Sequence, residues 1–376
     1  MTSRRLRHLG ILFLPILTPA IAWVTLVQRT IPSATAQPIL LVCGDFSDQG
    51  SFVHAVFEEA RRVSKDPQVR SLARFRVERL DDAGDSASAQ FEQSFLDALA
   101  RNYIVCIISA NTSQSTPPVI RLAETFRIPV LVTVATTKAA LAHSRGYTLR
   151  LVGDDSKQAT VIGEWAGKHQ YKRITVMYHQ SEYGEFLSRT LLSNLEAEHK
   201  QALRVSFANT PAAGQGLRAL KNCPLDALVY VGYRQDLPDL LRWLDVHELR
   251  FPLLVTDGCF SQDLGALAKS RNFVLSLSFP VDPFPERSGR QPGFGAYGND
   301  AAYILAYALN DALDKGVTRE KLMASIRQVV NDRSIDDKLL NCRYRFSDSG
   351  ENEEARFRFI DDVNKPPSEG GANGNR

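Results

Sequence analysis

The chain has 376 residues, 44% hydrophobic and 23% charged, with 45 basic and 42 acidic side chains and a formal charge of +3. Residues 1–36 hold four of the arginines and no acid, so the remainder is close to neutral. That balance excludes the electrostatic footprint of a nucleic-acid binder or of a protein held on an anionic membrane, and the length allows two domains.

Arg4, Arg5 and Arg7 precede an apolar run from Leu9 to Val27, and Ala34-Thr35-Ala36 then offers small residues at a cleavage site. This order reads as a secretory signal over residues 1–36, with the mature chain starting at Gln37 and an extracytoplasmic, periplasmic location. Pro15, Thr18, Pro19 and Thr25 weaken a spanning helix. An uncleaved anchor is the alternative, because the run approaches the length of a membrane span. Arg4-Arg5 leaves Sec and twin-arginine export both open.

From Pro38 onward, short apolar runs alternate with amphipathic stretches. ILLVCG is followed by FVHAVFEEARRV, FRVERLDD by SAQFEQSFLDALARN, YIVCIIS by PPVIRLAETF, and IPVLVTVATT by KAALAHS. A second round follows in RITVMYH, LRVSFA, LDALVYVG and FPLLVTD, each near a helical pattern. Such alternation predicts an α/β fold of parallel sheets flanked by helices, here as two Rossmann-like lobes. GYTLRLVGDD reads as one crossover between the lobes, and the proline-rich stretch around FVLSLSFPVDPFPE as another. The resulting division places residues 37–152 with 280–334 in lobe 1, residues 153–279 with 335–362 in lobe 2, and residues 363–376 in a disordered tail. A long helix is predicted over NDAAYILAYALNDALDKG, another from Thr318 to Val330, and closing strands over YRF and ARFRFID.

Five cysteines leave an odd thiol in an exported chain. Cys43 and Cys106 sit inside apolar runs and read as buried small hydrophobes. The absence of a CxxC pair, together with the lack of HExxH and GxSxG spacings, argues against a metal centre, a dithiol and a hydrolase elbow. No cofactor is expected. Gly293-Phe294-Gly295-Ala296-Tyr297-Gly298 matches GxGxxG but follows a polar, proline-rich segment instead of a strand, which removes the context that a dinucleotide loop needs.

The loops after the predicted strands carry the chemistry. In ANTSQSTPP, Thr116 is placed to cap a helix whose first residue is Pro117, beside the hydroxyls of Thr112, Ser113 and Ser115. A free helix start with hydroxyls suits a carboxylate. Thr136 and Thr137 offer the same chemistry from the next strand end. The second round presents Tyr183, Tyr233 and Asp257, an acid and two aromatics that suit an ammonium group. Ser113 and Thr136 are expected at exposed strand ends, and Asp257 is expected to stay solvated in an open cleft until ligand arrives.

The stretches RLDDAGD, IISANTSQSTPPVIRLAETFRIPVLVTVATT, RLVGDDSKQA, ITVMYHQSEYGEF, LVYVGYRQDLPDLLRWL, LLVTDG and AYGNDAAYILAYAL resemble the periplasmic type 1 solute-binding family, above all its branched-chain amino-acid (leucine/isoleucine/valine) branch. The resemblance covers nearly the whole chain beyond residue 36. It implies a type 1 periplasmic-binding-protein fold with a multi-strand hinge, a ligand carboxylate on Ser113 and Thr136 with backbone help near Val134, ligand-facing Tyr183 and Tyr233, and an ammonium on Asp257. Two departures stand out: the first loop is the brief GDFSDQGSF, and the acid is Asp257 where that branch carries Glu. The implied activity is capture of an amino-acid-like solute, without chemistry, for a membrane permease complex of the ABC type. A ligand sensor signalling to a receptor, anchored by residues 1–36, is the alternative.

Overall fold

A computed structural model describes residues 37–48, 51–198, 200–207, 225–261, 263–271, 273–280, 293–313, 318–335 and 339–363. The proposed signal, residues 281–286 of the second crossover, Cys223 and the tail from Asn364 all lie outside these residues.

The first sheet holds five parallel strands in the order β2-β1-β3-β4-β5: β1 (Ile39–Gly44), β2 (Arg76–Asp81), β3 (Ile104–Ser109), β4 (Val130–Val132) and β5 (Thr148–Arg150). Strands β1 and β3 are buried along their whole lengths because helices cover both faces, which is why their sequences are unbroken apolar runs. Cys43 and Cys106 are buried free thiols there. Strand β2 lies at an edge and carries Arg76, Glu78 and Arg79, charges that discourage pairing with another chain.

The second sheet repeats this order as β11-β10-β9-β8-β6-β7, with β6 (Arg173–His179), β7 (Gln201–Phe207), β8 (Ala227–Val231), β9 (Leu253–Val255), β10 (Leu275–Phe279) and β11 (Arg358–Ile360). Only β11 runs antiparallel to its neighbour. In each sheet the strand order reverses beside the first strand, between β1 and β3 and between β6 and β8. Ligands of open α/β sheets bind beyond the carboxyl ends of strands at such a reversal.

Helices connect the strands: α1 (Phe52–Val63), α2 (Pro67–Leu72), α3 (Ala89–Arg101), α4 (Thr116–Thr125), α5 (Asp155–Lys168), α6 (Glu182–Ala197), α7 (Leu237–Val246), α8 (Leu264–Ser270), α9 (Gly295–Leu313) and α10 (Arg319–Asn331). Local rules place them. Ser51, Ser88, Asp154, Ser181 and Thr318 cap α1, α3, α5, α6 and α10 by accepting a backbone N–H from the first turn. Helix α3 buries Phe91, Phe95 and Leu99, one stripe at four-residue spacing.

Some expectations shift. KAALAHS forms only a 3-10 turn over Lys138–Leu141. Thr116 is the first residue of α4 and Ser115 holds the cap position without a side-chain cap bond. Of the two closing strands, ARFRFID supplies β11, while YRF makes a single bridge from Phe346 to Asn352. The GxGxxG glycines serve packing: Gly293 turns the chain at φ +76°, and a Cβ on Gly298 would meet the Val56 carbonyl oxygen of α1 at 2.1 Å.

Strand β5 leads across to the second sheet through a pinned connection. Arg150 is fully buried, pairs in fork geometry with Glu351 (2.8 and 2.7 Å), and donates to the carbonyls of Thr136 and Thr137 (3.0 and 2.7 Å). One turn into α5, Lys157 Nζ donates to the carbonyls of Asn352, Glu353 and Ala355.

Candidate functional site

The residues singled out in the sequence stand at the carboxyl ends of β3, β4, β6, β8 and β9. Beyond β3, Asn111 fixes the loop: it accepts from Ser109 Oγ at 3.1 Å, donates to Asp82, and its carbonyl accepts from Thr116 Oγ1 at 3.2 Å. Ser113 then accepts the backbone N–H of Thr137 at 3.3 Å, which ties the β3 loop to the β4 loop. Ser113 is 3% exposed and Thr136 1%. The expectation of exposed strand-end hydroxyls is therefore corrected: the two loops fold on each other, and the start of α5 bonds to the Thr136 carbonyl. Val134 is buried nearby as part of the core.

Across the cleft, Tyr183 occupies the first turn of α6, positioned by the Ser181 cap. Its hydroxyl donates to Asp257 Oδ1 at 2.6 Å. Tyr233 follows β8; its ring centroid lies 5.7 Å from that of Tyr183 and 5.2 Å from that of His179. Asp257 begins a 3-10 turn after β9 and is 4% exposed. Gln158 Nε2 on α5 reaches the same Oδ1 at 2.9 Å and also donates to the Ser278 carbonyl at 3.3 Å. The expectation that Asp257 waits solvated and without protein partners is overturned, because α5 and α6 close over it. Burial pushes its carboxyl above the ordinary range, partly offset by the bonds from Tyr183 and Gln158. Burial, and then Asp257, raise Tyr183 far above a normal phenol, so it remains a donor. Burial pushes Tyr233 up to about 12.

Two residues of the site were missed in the sequence, Gln158 and Asp155. Asp155 is fully buried as the first residue of α5, and its N–H donates to the Thr136 carbonyl at 3.0 Å. It joins the β4 loop to the acid side of the cleft. Burial raises its carboxyl well above the ordinary range; nearby Thr136 and Arg150 oppose the shift while Asp257 adds to it. The second acid of RLVGDD could have flagged it, but a doubled Asp at a helix start reads as capping. Thus Tyr183, Tyr233 and Asp257 form one group, Ser113 and Thr136 another, and Asp155 stands between them. This arrangement offers hydroxyls and amides on one side and carboxylates on the other. Among the described residues no group of His, Cys, Asp and Glu is placed to hold a metal, and no helix is long and apolar enough to cross a membrane.

Comparison with known proteins follows the same lines. A family model described as the receptor family ligand binding region matches residues 53–223. The Leu/Ile/Val-binding protein of Citrobacter freundii is 26% identical over 267 residues, 68% of this chain and 71% of its own length. A leucine-binding protein of Thermotoga maritima superposes with a TM-score of 0.71 at 18% identity, covering 85% of this chain and 93% of that one. A branched-chain amino-acid transporter substrate-binding protein of Streptococcus pneumoniae, in complex with isoleucine, gives 0.70 at 13% identity, covering 87% and 100%. An extracellular ligand-binding receptor of Rhodopseudomonas palustris gives 0.72 at 16%, covering 87% and 98%. The fold expected from the sequence, two α/β lobes of the type 1 periplasmic-binding kind, is the fold observed, and the resemblance to the leucine/isoleucine/valine branch is borne out.

Proposed function

We propose that this chain, which has the fold of type 1 solute-binding proteins and a curated relative that binds leucine, isoleucine and valine, is itself an extracytoplasmic solute-binding protein for an amino acid or amino-acid-like solute. It binds and does no chemistry, as do the substrate-binding proteins it resembles. The observation that carries this reading is the Tyr183–Asp257–Gln158 arrangement, a buried acid held in place with aromatic walls where an ammonium can be enclosed. In this reading the ligand carboxylate docks on Ser113 and Thr136 with the backbone near Val134, and its ammonium meets Asp257 beside Tyr183 and Tyr233. The lobes, residues 37–152 with 280–334 and residues 153–279 with 335–362, close on the ligand. Ligand stabilises the closed form, and a membrane permease complex of the ABC type recognises that form. Export is by the signal at residues 1–36. A thermal-shift screen of amino acids, small amides and ureas tests the reading. A ligand at 100 times its dissociation constant adds about 2.7 kcal/mol, so a cognate amino acid raises the melting temperature clearly, whereas no response to any amino acid refutes the assignment.

A further inference from the structure

His179, the last residue of β6, stands where the second sheet reverses its strand order between β6 and β8, and the binding scheme leaves it unused. Its backbone is fixed on the α6 side. The His179 carbonyl accepts the Ser181 N–H at 2.8 Å, and a Cβ on Gly184, in the first turn of α6, would meet that carbonyl oxygen at 2.0 Å. The imidazole meets the segment that follows β8. Its Nε2 lies 3.8 Å from Asp236 Oδ2, and its ring meets that of Tyr233 edge to face, 70° between planes and 5.2 Å between centroids. Nδ1 is buried without a hydrogen-bond partner among the described residues, so Nε2 is the polar end through which the ring is held. Asp236 occupies the cap position of α7, where an aspartate side chain ordinarily accepts an N–H from the first turn, yet it makes no cap bond. Its carboxylate is instead fully buried, accepts the Tyr230 hydroxyl at 3.4 Å, and faces His179 with the same oxygen.

From this juxtaposition we infer that His179 is a positioning residue of the solute site: held by Asp236, it fixes the ring of Tyr233. The inference rests on the solute-binding reading and adds to its machinery a residue that does not touch ligand. Attraction between Nε2 and a buried carboxylate sets the plane of the imidazole, and an edge-to-face contact is directional, so the imidazole plane in turn sets that of the phenol ring. Tyr183, with its centroid 5.7 Å from that of Tyr233, supports the ring as well. A wall settled before ligand arrives spares the cost of ordering a side chain on binding. The competing reading is that His179 and Asp236 only steady the junction of β6 with α7; their loss would then act on stability, and on affinity equally with or without Tyr233.

The test combines titration calorimetry, with L-leucine as the probe, and fluorine NMR of protein labelled with 3-fluorotyrosine. The variants are His179→Leu, His179→Gln, Asp236→Asn, Tyr233→Leu and the double variant of His179→Leu with Tyr233→Leu. Disappearance in Tyr233→Leu identifies the Tyr233 resonance. His179→Leu is expected to weaken L-leucine binding about fivefold or more in the wild-type background and less than about twofold in the Tyr233→Leu background, the non-additivity of two coupled residues. His179→Gln, whose amide nitrogen takes the place of Nε2, recovers most of the loss. Without ligand, the Tyr233 resonance shifts or broadens in His179→Leu and in Asp236→Asn and returns toward its wild-type position in His179→Gln. Should His179→Leu not fold, Asp236→Asn takes its place in the cycle. An equal loss in both backgrounds, His179→Gln no better than His179→Leu, or a Tyr233 resonance unmoved by these variants overturns the inference. The solute-binding reading fails separately. L-Leucine bound without coupling between positions 179 and 233 keeps that reading and removes His179. A Tyr233 resonance that follows the His179 and Asp236 variants, in a protein that no amino acid stabilises, keeps the positioning and removes the amino-acid assignment.

Discussion

Two buried acids of this molecule make different use of the same chemistry. Asp300, on α9, is fully buried and accepts from the backbone N–H groups of Asn341 and Cys342, the side-chain amides of Asn299 and Asn341, and the hydroxyl of Tyr344 at 2.6 Å. Burial raises its carboxyl, and these donors oppose the rise. Asp155 is equally buried, and its carboxylate oxygens have no hydrogen-bond partner among the described residues; Asp257 lies between the two, with Tyr183 and Gln158. Burial alone therefore does not separate a structural acid from a binding one. What separates them is whether the protein itself fills the lone pairs. Asp300 fastens the 339–344 segment to α9, whereas the carboxylate of Asp155 keeps lone pairs that no hydrogen bond from the described residues fills.

The comparison breaks first at Asp300. Asp300→Ala removes the common acceptor of several buried donors and is expected to cost about 3–5 kcal/mol of stability, by the measure of breaking a buried charged network. Urea denaturation reads this directly, and a loss under about 1 kcal/mol, within the reach of an ordinary hydrogen bond, would make Asp300 no more structural than Asp257. Asp257→Asn should spare stability by comparison but lower affinity for the best amino acid by about 2–5 kcal/mol, the cost of truncating one member of a buried charge pair. Titration calorimetry should show roughly 30-fold to several-thousand-fold weaker binding, at about 1.4 kcal/mol per factor of ten; equal affinities would mean that no ammonium sits there.

Proton linkage sharpens the contrast. Burial first, and then Asp257, raise the Asp155 carboxyl above its unfolded value of about 3.9. The folded protein thus holds a proton that the unfolded chain has released. Stability contributed by this group is present at low pH and falls as pH rises above about 4, until the raised folded pKa is passed. Relative to wild type, ligand-free Asp155→Asn should gain stability with increasing pH above about 4, a trend that melting curves across the acid-to-neutral range would reveal or deny. The smallest effect is expected at Ser113. Because its hydroxyl accepts the Thr137 N–H, Ser113→Ala should cost about 1 kcal/mol of ligand-free stability, the net worth of one hydrogen bond, besides what it costs in affinity. Affinity lost with no change in denaturation midpoint would mean that the loop tie contributes nothing.

Periodicity and punctuation made most of the fold legible. Unbroken apolar runs such as ILLVCG and YIVCIIS are what fully covered parallel strands require. Thr116 before Pro117 marked one helix start to within a residue. The repeat of that grammar implied two lobes, and the strand-end loops exposed the hydroxyls, the tyrosines and Asp257 as residues of one kind of site. These signals are local, set by neighbours a few positions apart. What the tertiary structure alone decided is which of those groups are already partnered. Ser113 proved to be bonded to a loop 24 residues away, and Asp257 to side chains 74 and 99 residues away. Asp155, read from the sequence as the end of the extended crossover GYTLRLVGDD, became a buried carboxylate without a hydrogen-bond partner among the described residues. Whether a polar group is satisfied depends on atoms brought close by packing between sheets, and sequence spacing carries no record of them.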